Sequence, residues 1–232
     1  MSLPAEAATT GPAPEYRTRR RRRKEARPSE LTAAALALFV EKGFAGTRLE
    51  DIALRAGVAK GTLYLYFDSK EALFRAVIEE GMVAVLAAAE QRLSDFQGSA
   101  GDLLQQLLWA WWEQIGCTPL AGVTKLIACE SKNFPEVAHY YHEQVLDRGR
   151  ALLRTALRRG MVSGEFRRMD VEAAIDVIMA PLLMLAISRF SLSFCCQEST
   201  PETYLQTHFD LLLHGLRSAA SERAAPLEGN GE

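Results

Sequence analysis

From Pro28 almost to the C-terminus, apolar residues recur three and four positions apart, and no run between turn signals alternates as a strand would. That spacing restricts the chain to one fold class, all-α. Leu31, Ala35, Leu38 and Phe39 make the first stripe, with Pro28 suited to a first turn and Gly43 to the position just past a helix end. Thr47-Arg-Leu-Glu50 reads as a capping box with Thr47 at the N-cap. It opens a second, short helix with Leu49, Ile52, Ala53 and Ala56 inward, ended by Gly57. A third short helix is expected over 59–67, with Leu63 and Phe67 inward, and Ser69 suits the N-cap of a long fourth helix. Further helices are predicted over 102–117, 120–131, 136–160, 170–194 and 201–219, with a kink at Pro181.

The net charge of −2 conceals an asymmetry. Residues 17–75 carry 14 Lys and Arg against 7 Asp and Glu, whereas residues 76–232 carry 13 against 20. A basic front on an acidic remainder points to a nucleic-acid or membrane contact confined to the N-terminal third. Residues 1–16 are rich in Ala, Pro and Thr, and 17–27 read RTRRRRRKEAR. Like charges so dense repel one another, so residues 1–27 are expected to be a disordered arm that orders only against a polyanion. The arm suits either minor-groove entry or a nonspecific electrostatic tail.

Four cysteines, Cys117, Cys129, Cys195 and Cys196, are too few and too irregular for a disulfide framework and suit a reducing compartment. The longest charge-free run, 177–188, is 12 residues, short of the roughly 18 that a membrane span needs. A soluble cytoplasmic protein with no membrane partner is the expectation.

Two short helices joined by a tight turn at Gly57 and braced by a preceding helix form a helix-turn-helix pattern. The outer face of the second short helix carries chemistry suited to DNA. Lys60 offers a cation, Gly61 close backbone approach, Thr62 a hydroxyl, and Tyr64 and Tyr66 phenols. Lys70 adds charge at the next helix N-terminus. The stretch AALALFVEKGFAGTRLEDIALRAGVAKGTLYLYFDSKEALFRAVI, within 31–79, resembles the tetracycline-repressor (TetR) family of bacterial regulators. Its strongest piece is Ala56 to Phe67, followed by Lys70-Glu71 and Leu73. The resemblance implies a homodimeric, ligand-responsive DNA-binding protein, usually a repressor. It implies DNA contacts at Thr47, Arg48, Lys60, Gly61, Thr62, Tyr64, Tyr66 and Lys70. Leu65 departs from the family, which often has an aromatic residue there; it suits a thymine methyl or plain packing.

The organisation expected is an arm at 1–27, a DNA-binding domain at 28–75, a helical ligand-binding and dimerisation domain at 76–222, and a flexible tail at 223–232. In the larger domain Trp109, Trp111 and Trp112 cannot share one helix face. Bulky core and aromatic cavity wall both fit Trp109 and Trp112; Leu108, Trp111 and Ile115 read as the opposite, packed stripe. His139, Met179 and Leu183 complete the candidate ligand set, Met because it adapts to varied apolar shapes. His139, His142 and Glu143 have metal-like spacing on one helix, but three ligands from one exposed helix are weak, and no metal is expected. No catalytic triad spacing, HExxH or phosphate-binding glycine loop is present, so neither enzyme nor cofactor is expected. The last two long helices are the expected two-fold interface, and a small hydrophobic or aromatic effector is the expected ligand. A transcriptional activator, or a regulator answering a partner protein, is the alternative.

Overall fold

The computed structural model describes residues 14–191 and 200–218, with side chains over 28–189 and 200–218. Expectations for residues 1–13, for Cys195 and Cys196 and for the tail at 223–232 lie outside the described residues.

Helix α1 (Pro14–Gly46) begins 14 residues before Pro28, which lies inside it. The expected arm is therefore helical from Pro14 onward. Arg, Lys, Glu and Ala are strong helix formers, and this propensity opposes the like-charge repulsion on which the expectation rested. Near its other end Gly43 takes φ 75°, a left-handed conformation that turns the chain out of the helix.

Helices α2 (Leu49–Arg55) and α3 (Lys60–Tyr64) follow, joined by a turn in which Gly57 has φ 65°. The N-cap of α2 is Arg48, with no side-chain capping bond, so the expected capping box is not formed. Thr47 stands one residue earlier and is buried, its hydroxyl directed at the Gly43 carbonyl (2.7 Å) and the Leu38 carbonyl (3.2 Å). The end of α1 leaves carbonyls without helical partners, and Thr47 serves those instead of the amides of α2. Ser69 does cap α4 (Lys70–Ile78), accepting the Ala72 N–H at 3.0 Å.

From α4 the chain passes through a π-helical turn (Glu79–Val83) into α5 (Ala84–Asp95). Helix α6 (Ala100–Trp111) ends in a second π turn (Trp112–Gly116), and α7 (Ala121–Glu130) returns toward α1. Then come α8 (Pro135–Tyr141), a third π turn (His142–Leu146) and α9 (Asp147–Ser163). Helices α10 (Val171–Ser191) and α11 (Pro201–Leu216) complete the bundle. Among the described residues, the only β pairing is an isolated bridge between Phe166 and Arg217.

Two hydrophobic clusters hold these helices. The first joins Leu38, Phe39, Phe44, Ile52, Leu63 and Phe74 of the N-terminal helices to Ile115, Val123, Leu126 and Tyr141. The second packs α6, α9, α10 and α11 around Leu104, Leu157, Ile178, Leu182 and Phe209. The span Val171–Arg189 has mean hydropathy 1.9 and, by length and composition, suffices to cross a membrane. That is longer than the charge-free run suggested, because a helix tolerates charges near its end. Only 28% of that window is buried within the chain. Glu172 and Asp176 near its start pair with Arg150 and Arg154 of α9.

Candidate DNA-binding surface and ligand cavity

The inner faces of α2 and α3 decide what their outer faces present. Ile52, Ala53 and Leu63 are buried, so α3 is held by one leucine against the first two helices. Turned outward on and beside α3 are Lys60, Gly61, Tyr64 and Leu65, the last with 81% of its surface exposed. Thr62 is half-buried, and Tyr66 packs against the core at its edge.

Lys60 makes an exposed ion pair with Glu50 of α2 (2.5 Å), and its ammonium lies 5.7 Å from the centre of the Tyr64 ring. The hydrogen bond between them, reinforced by charge, raises the Lys60 pKa and lowers that of Glu50. Exposed Arg48 stands at the entrance to α2 on the same unit. Together they form a cationic and phenolic surface with one acidic residue inside it.

Two residues of the expected DNA set are turned elsewhere. Thr47 is 2% exposed, with its hydroxyl committed to α1. Lys70 is half-buried and points its ammonium at the carbonyls of Phe44 (2.6 Å), Ala45 (3.4 Å) and Thr47 (3.1 Å). It also lies 4.5 Å from the centre of the Phe44 ring. An ammonium has three donors, and here all three face the corner after Gly43. These two side chains build the corner; neither reaches outward.

Within the helical body lies a cavity of about 580 Å³ between α5, α6, the third π turn, α9 and α10. Val85, Leu86, Leu108, Trp111, Ile115 and Leu152 give it an apolar wall, and Met179 and Leu183 of the candidate ligand set line it from α10. Trp109, Trp112 and His139 do not line it. Trp109 stacks edge-on against Phe209 (5.3 Å), Trp112 is buried in the second cluster, and exposed His139 pairs with Glu143 at 3.1 Å. The stripe expected to be plain packing, Leu108, Trp111 and Ile115, is the one that faces the void. Both stripes of α6 are apolar, so periodicity alone does not distinguish the side facing a cavity from the side facing other helices. Among the described residues no cluster of His, Cys, Asp and Glu suits a metal ion.

Polar groups sit around the apolar wall: His142, Asp147, Arg150 and Asp176. Arg150 bridges Asp176 and Glu172, and His142 faces Asp147 at 3.4 Å. Sequence reasoning missed Arg150, because one more arginine on a helix with several carries no local signal. The buried phenol of Tyr141 hydrogen-bonds Thr124 at 3.0 Å, and desolvation pushes its pKa up to about 12. A raised folded-state pKa stabilises the protein fully below the unfolded-state value, about 10. That stability is lost as pH climbs from about 10 towards about 12. Absorbance titration of the native protein is expected to show tyrosines ionising late. Tyr141→Phe should remove one of them and flatten the alkaline loss of stability; an unchanged titration would contradict the burial. Tyr140, raised to about 12 by desolvation and by its hydrogen bond to Glu79, should remain.

A small three-helix unit with an outward-facing third helix that carries Lys60 and Tyr64, set on a helical body with an apolar cavity, has the form of a helix-turn-helix DNA-binding protein. Comparison with known proteins places it further. Residues 31–77 match the family model for bacterial regulatory proteins of the tetR family, and residues 97–191 match the tetracyclin repressor-like C-terminal domain. The chain belongs to the TetR family of bacterial transcriptional regulators.

It is 44% identical to the HTH-type transcriptional regulator RutR of Escherichia coli (strain K12) over 78 residues, 34% of this chain and 37% of RutR. The match therefore spans little more than a third of that relative. YezE, an HTH-type transcriptional regulator of Bacillus subtilis (strain 168), is 27% identical over 200 residues, 83% of this chain and 97% of YezE. The transcriptional regulator FadR from Bacillus subtilis, solved in complex with stearoyl-CoA, superposes with a TM-score of 0.68 at 24% identity, covering 82% of this chain and 99% of FadR. That last likeness is one of fold.

Proposed function

We propose that this chain is a cytoplasmic transcriptional repressor that binds a two-fold operator as a homodimer and is released by a small, hydrophobic or aromatic effector. The observation that carries this reading is the cavity of about 580 Å³, apolar in its body and lined also by charged side chains, in the same chain as an outward-facing helix-turn-helix. Such cavities take ligands through apolar burial and use a few polar groups to orient them. That a fold relative was crystallised with stearoyl-CoA supports an apolar ligand of some length in this architecture.

In this reading residues 28–75 act as the DNA-binding head and 76–222 as the sensing and dimerising body. Arg48, Lys60, Gly61, Thr62, Tyr64 and Tyr66 meet the duplex, with α3 in the major groove. Two such helices must stand about one duplex turn apart, roughly 34–36 Å. An effector that prefers another spacing weakens operator binding by its differential affinity for the two arrangements.

The homodimer is proposed through α10 and α11. Ala173, Val177, Ala180 and Met184 share one exposed stripe of α10, Val177 and Met184 being 68% and 60% exposed, and Leu211 of α11 is 68% exposed. A second copy covering that stripe also explains why so apolar a helix is so little buried within one chain.

The test uses the full-length protein with DNA from upstream of its own coding region, in sedimentation and binding assays. The expected result is a dimer with sequence-specific, salt-sensitive retention that apolar compounds relieve. A monomer without sequence preference would overturn the reading.

A further inference from the structure

The corner that follows α1 is held from two sides, and one of the holding groups comes from far along the chain. With Gly43 at φ 75°, the amides of Phe44 and Ala45 leave the helical path. Both are taken by Glu130, the last residue of α7: its Oε1 accepts the Phe44 N–H and its Oε2 the Ala45 N–H, each at 3.1 Å. A carboxylate is an acceptor with two oxygens, so the match is one oxygen per amide. Lys70, from the head itself, takes the carbonyls of the same two residues and of Thr47. The left-handed turn favours glycine at 43, and a Cβ there would stand 2.8 Å from Glu130 Oε1, so a side chain would push the carboxylate from this position.

Helix α7 does not line the cavity but is tied, nearer its other end, to a residue that does. Thr124, six residues before Glu130, hydrogen-bonds the buried Tyr141 phenol, and Tyr141 lines the cavity. On its opposite side α7 lies tight on α1: a Cβ on Gly122 would meet Val40 Cγ2 at 2.5 Å. Helices α7 and α1 thus pack directly on each other three residues before Gly43. The corner leads through Thr47 and Arg48 into α2, and α2 carries α3.

We infer that Glu130 is a positioning residue for DNA binding, a two-oxygen clasp through which α7 sets the angle of the helix-turn-helix and passes cavity occupancy to it. This rests on the repressor reading for its functional consequence, but the clasp itself is a statement about orientation and is measured separately. The clasp lies outside both the DNA surface and the cavity lining. Its loss therefore changes how the two communicate without removing a contact to either ligand.

The experiment uses full-length protein with Glu130→Ala and, as a variant of nearly native volume, Glu130→Gln, which keeps one acceptor oxygen. Spin labels at Leu65→Cys and Val162→Cys, both exposed positions, report the head-to-body distance in a background lacking the native cysteines. The expected result is a broader or shifted distance distribution in Glu130→Ala and an intermediate one in Glu130→Gln. Amide exchange at Phe44 and Ala45 should be about tenfold faster, the scale of losing a charge-assisted hydrogen bond. With operator DNA, affinity should fall several-fold. The factor by which the apolar probe 1-anilinonaphthalene-8-sulfonate weakens operator binding should shrink towards one, while the probe's own affinity stays as in wild type. An unchanged distance distribution overturns the inference. So does a wild-type probe effect on operator binding in Glu130→Ala, which would make the clasp merely structural. If wild type itself binds no operator, the repressor reading fails, and the distance measurement still decides the clasp.

Discussion

Lys60→Ala combined with Tyr64→Ala is expected to lower operator affinity on the order of 1,000-fold or more, because each direct contact contributes about 1–3 kcal/mol and the proposed dimer loses both twice. The fold should not register the change. Both side chains are exposed on α3, and α3 is anchored by Leu63 from its other face. Surface substitutions of this kind usually stay within about 0.5 kcal/mol. The salt dependence should also weaken, since each phosphate-directed lysine contributes about one unit to the slope against salt. Lys60 is not a free cation in the unbound protein: Glu50 holds it at 2.5 Å and places a carboxylate beside the proposed DNA-binding surface. Glu50→Gln should therefore act in the opposite direction and raise affinity at low salt. Fluorescence anisotropy with a labelled operator fragment at two salt concentrations measures all three. Unchanged affinity in the double variant would move the DNA interface away from α3.

How much of this was legible in the sequence follows from what each signal encodes. The stripe Leu31, Ala35, Leu38 and Phe39, the glycines at 43 and 57, and Ser69 before α4 are local signals, and each has the structural role that local chemistry predicts. Thr47 failed as an N-cap because its hydroxyl had a choice between amides ahead and carbonyls behind, and tertiary burial decided for the carbonyls. Lys70 failed as an outward cation for a related reason: the corner it serves exists only once Gly43 has turned the chain. In the body, helical periodicity located α6 but did not reveal which of its two apolar stripes faces empty space. Trp111 lines the cavity, whereas Trp109 and Trp112 pack elsewhere. A cavity is a property of several helices at once, and no single helix encodes it. Glu130 is the extreme case, its partners lying 86 and 85 residues away.

Phe44→Ala is expected to produce the largest loss of stability of any single change considered, about 3–5 kcal/mol, the range for truncating a buried phenylalanine. Phe44 is fully buried and touches rings from three directions: Phe39 at 5.4 Å, Phe74 at 5.2 Å and Phe134 at 4.5 Å. At about 2–4 °C per kcal/mol for a chain of this size, the midpoint of thermal unfolding should drop by roughly 10 °C. The location of the loss matters more than its size. Phe39 and Phe74 belong to the DNA-binding head, whereas Phe134 belongs to the connection between α7 and α8 in the body, beside Glu130. The first hydrophobic cluster runs through all of them without a break, so head and body should unfold in one transition, and Phe44→Ala should shift that transition whole. A double-mutant cycle with Phe134→Ala isolates the contact between the two parts, where an aromatic pair is worth about 0.5–1.5 kcal/mol beyond its buried area. If Phe44→Ala instead splits denaturation into two steps, the head has an independent core. The coupling between cavity and DNA surface would then rest on the Glu130 clasp alone rather than on the clasp and the aromatic packing together.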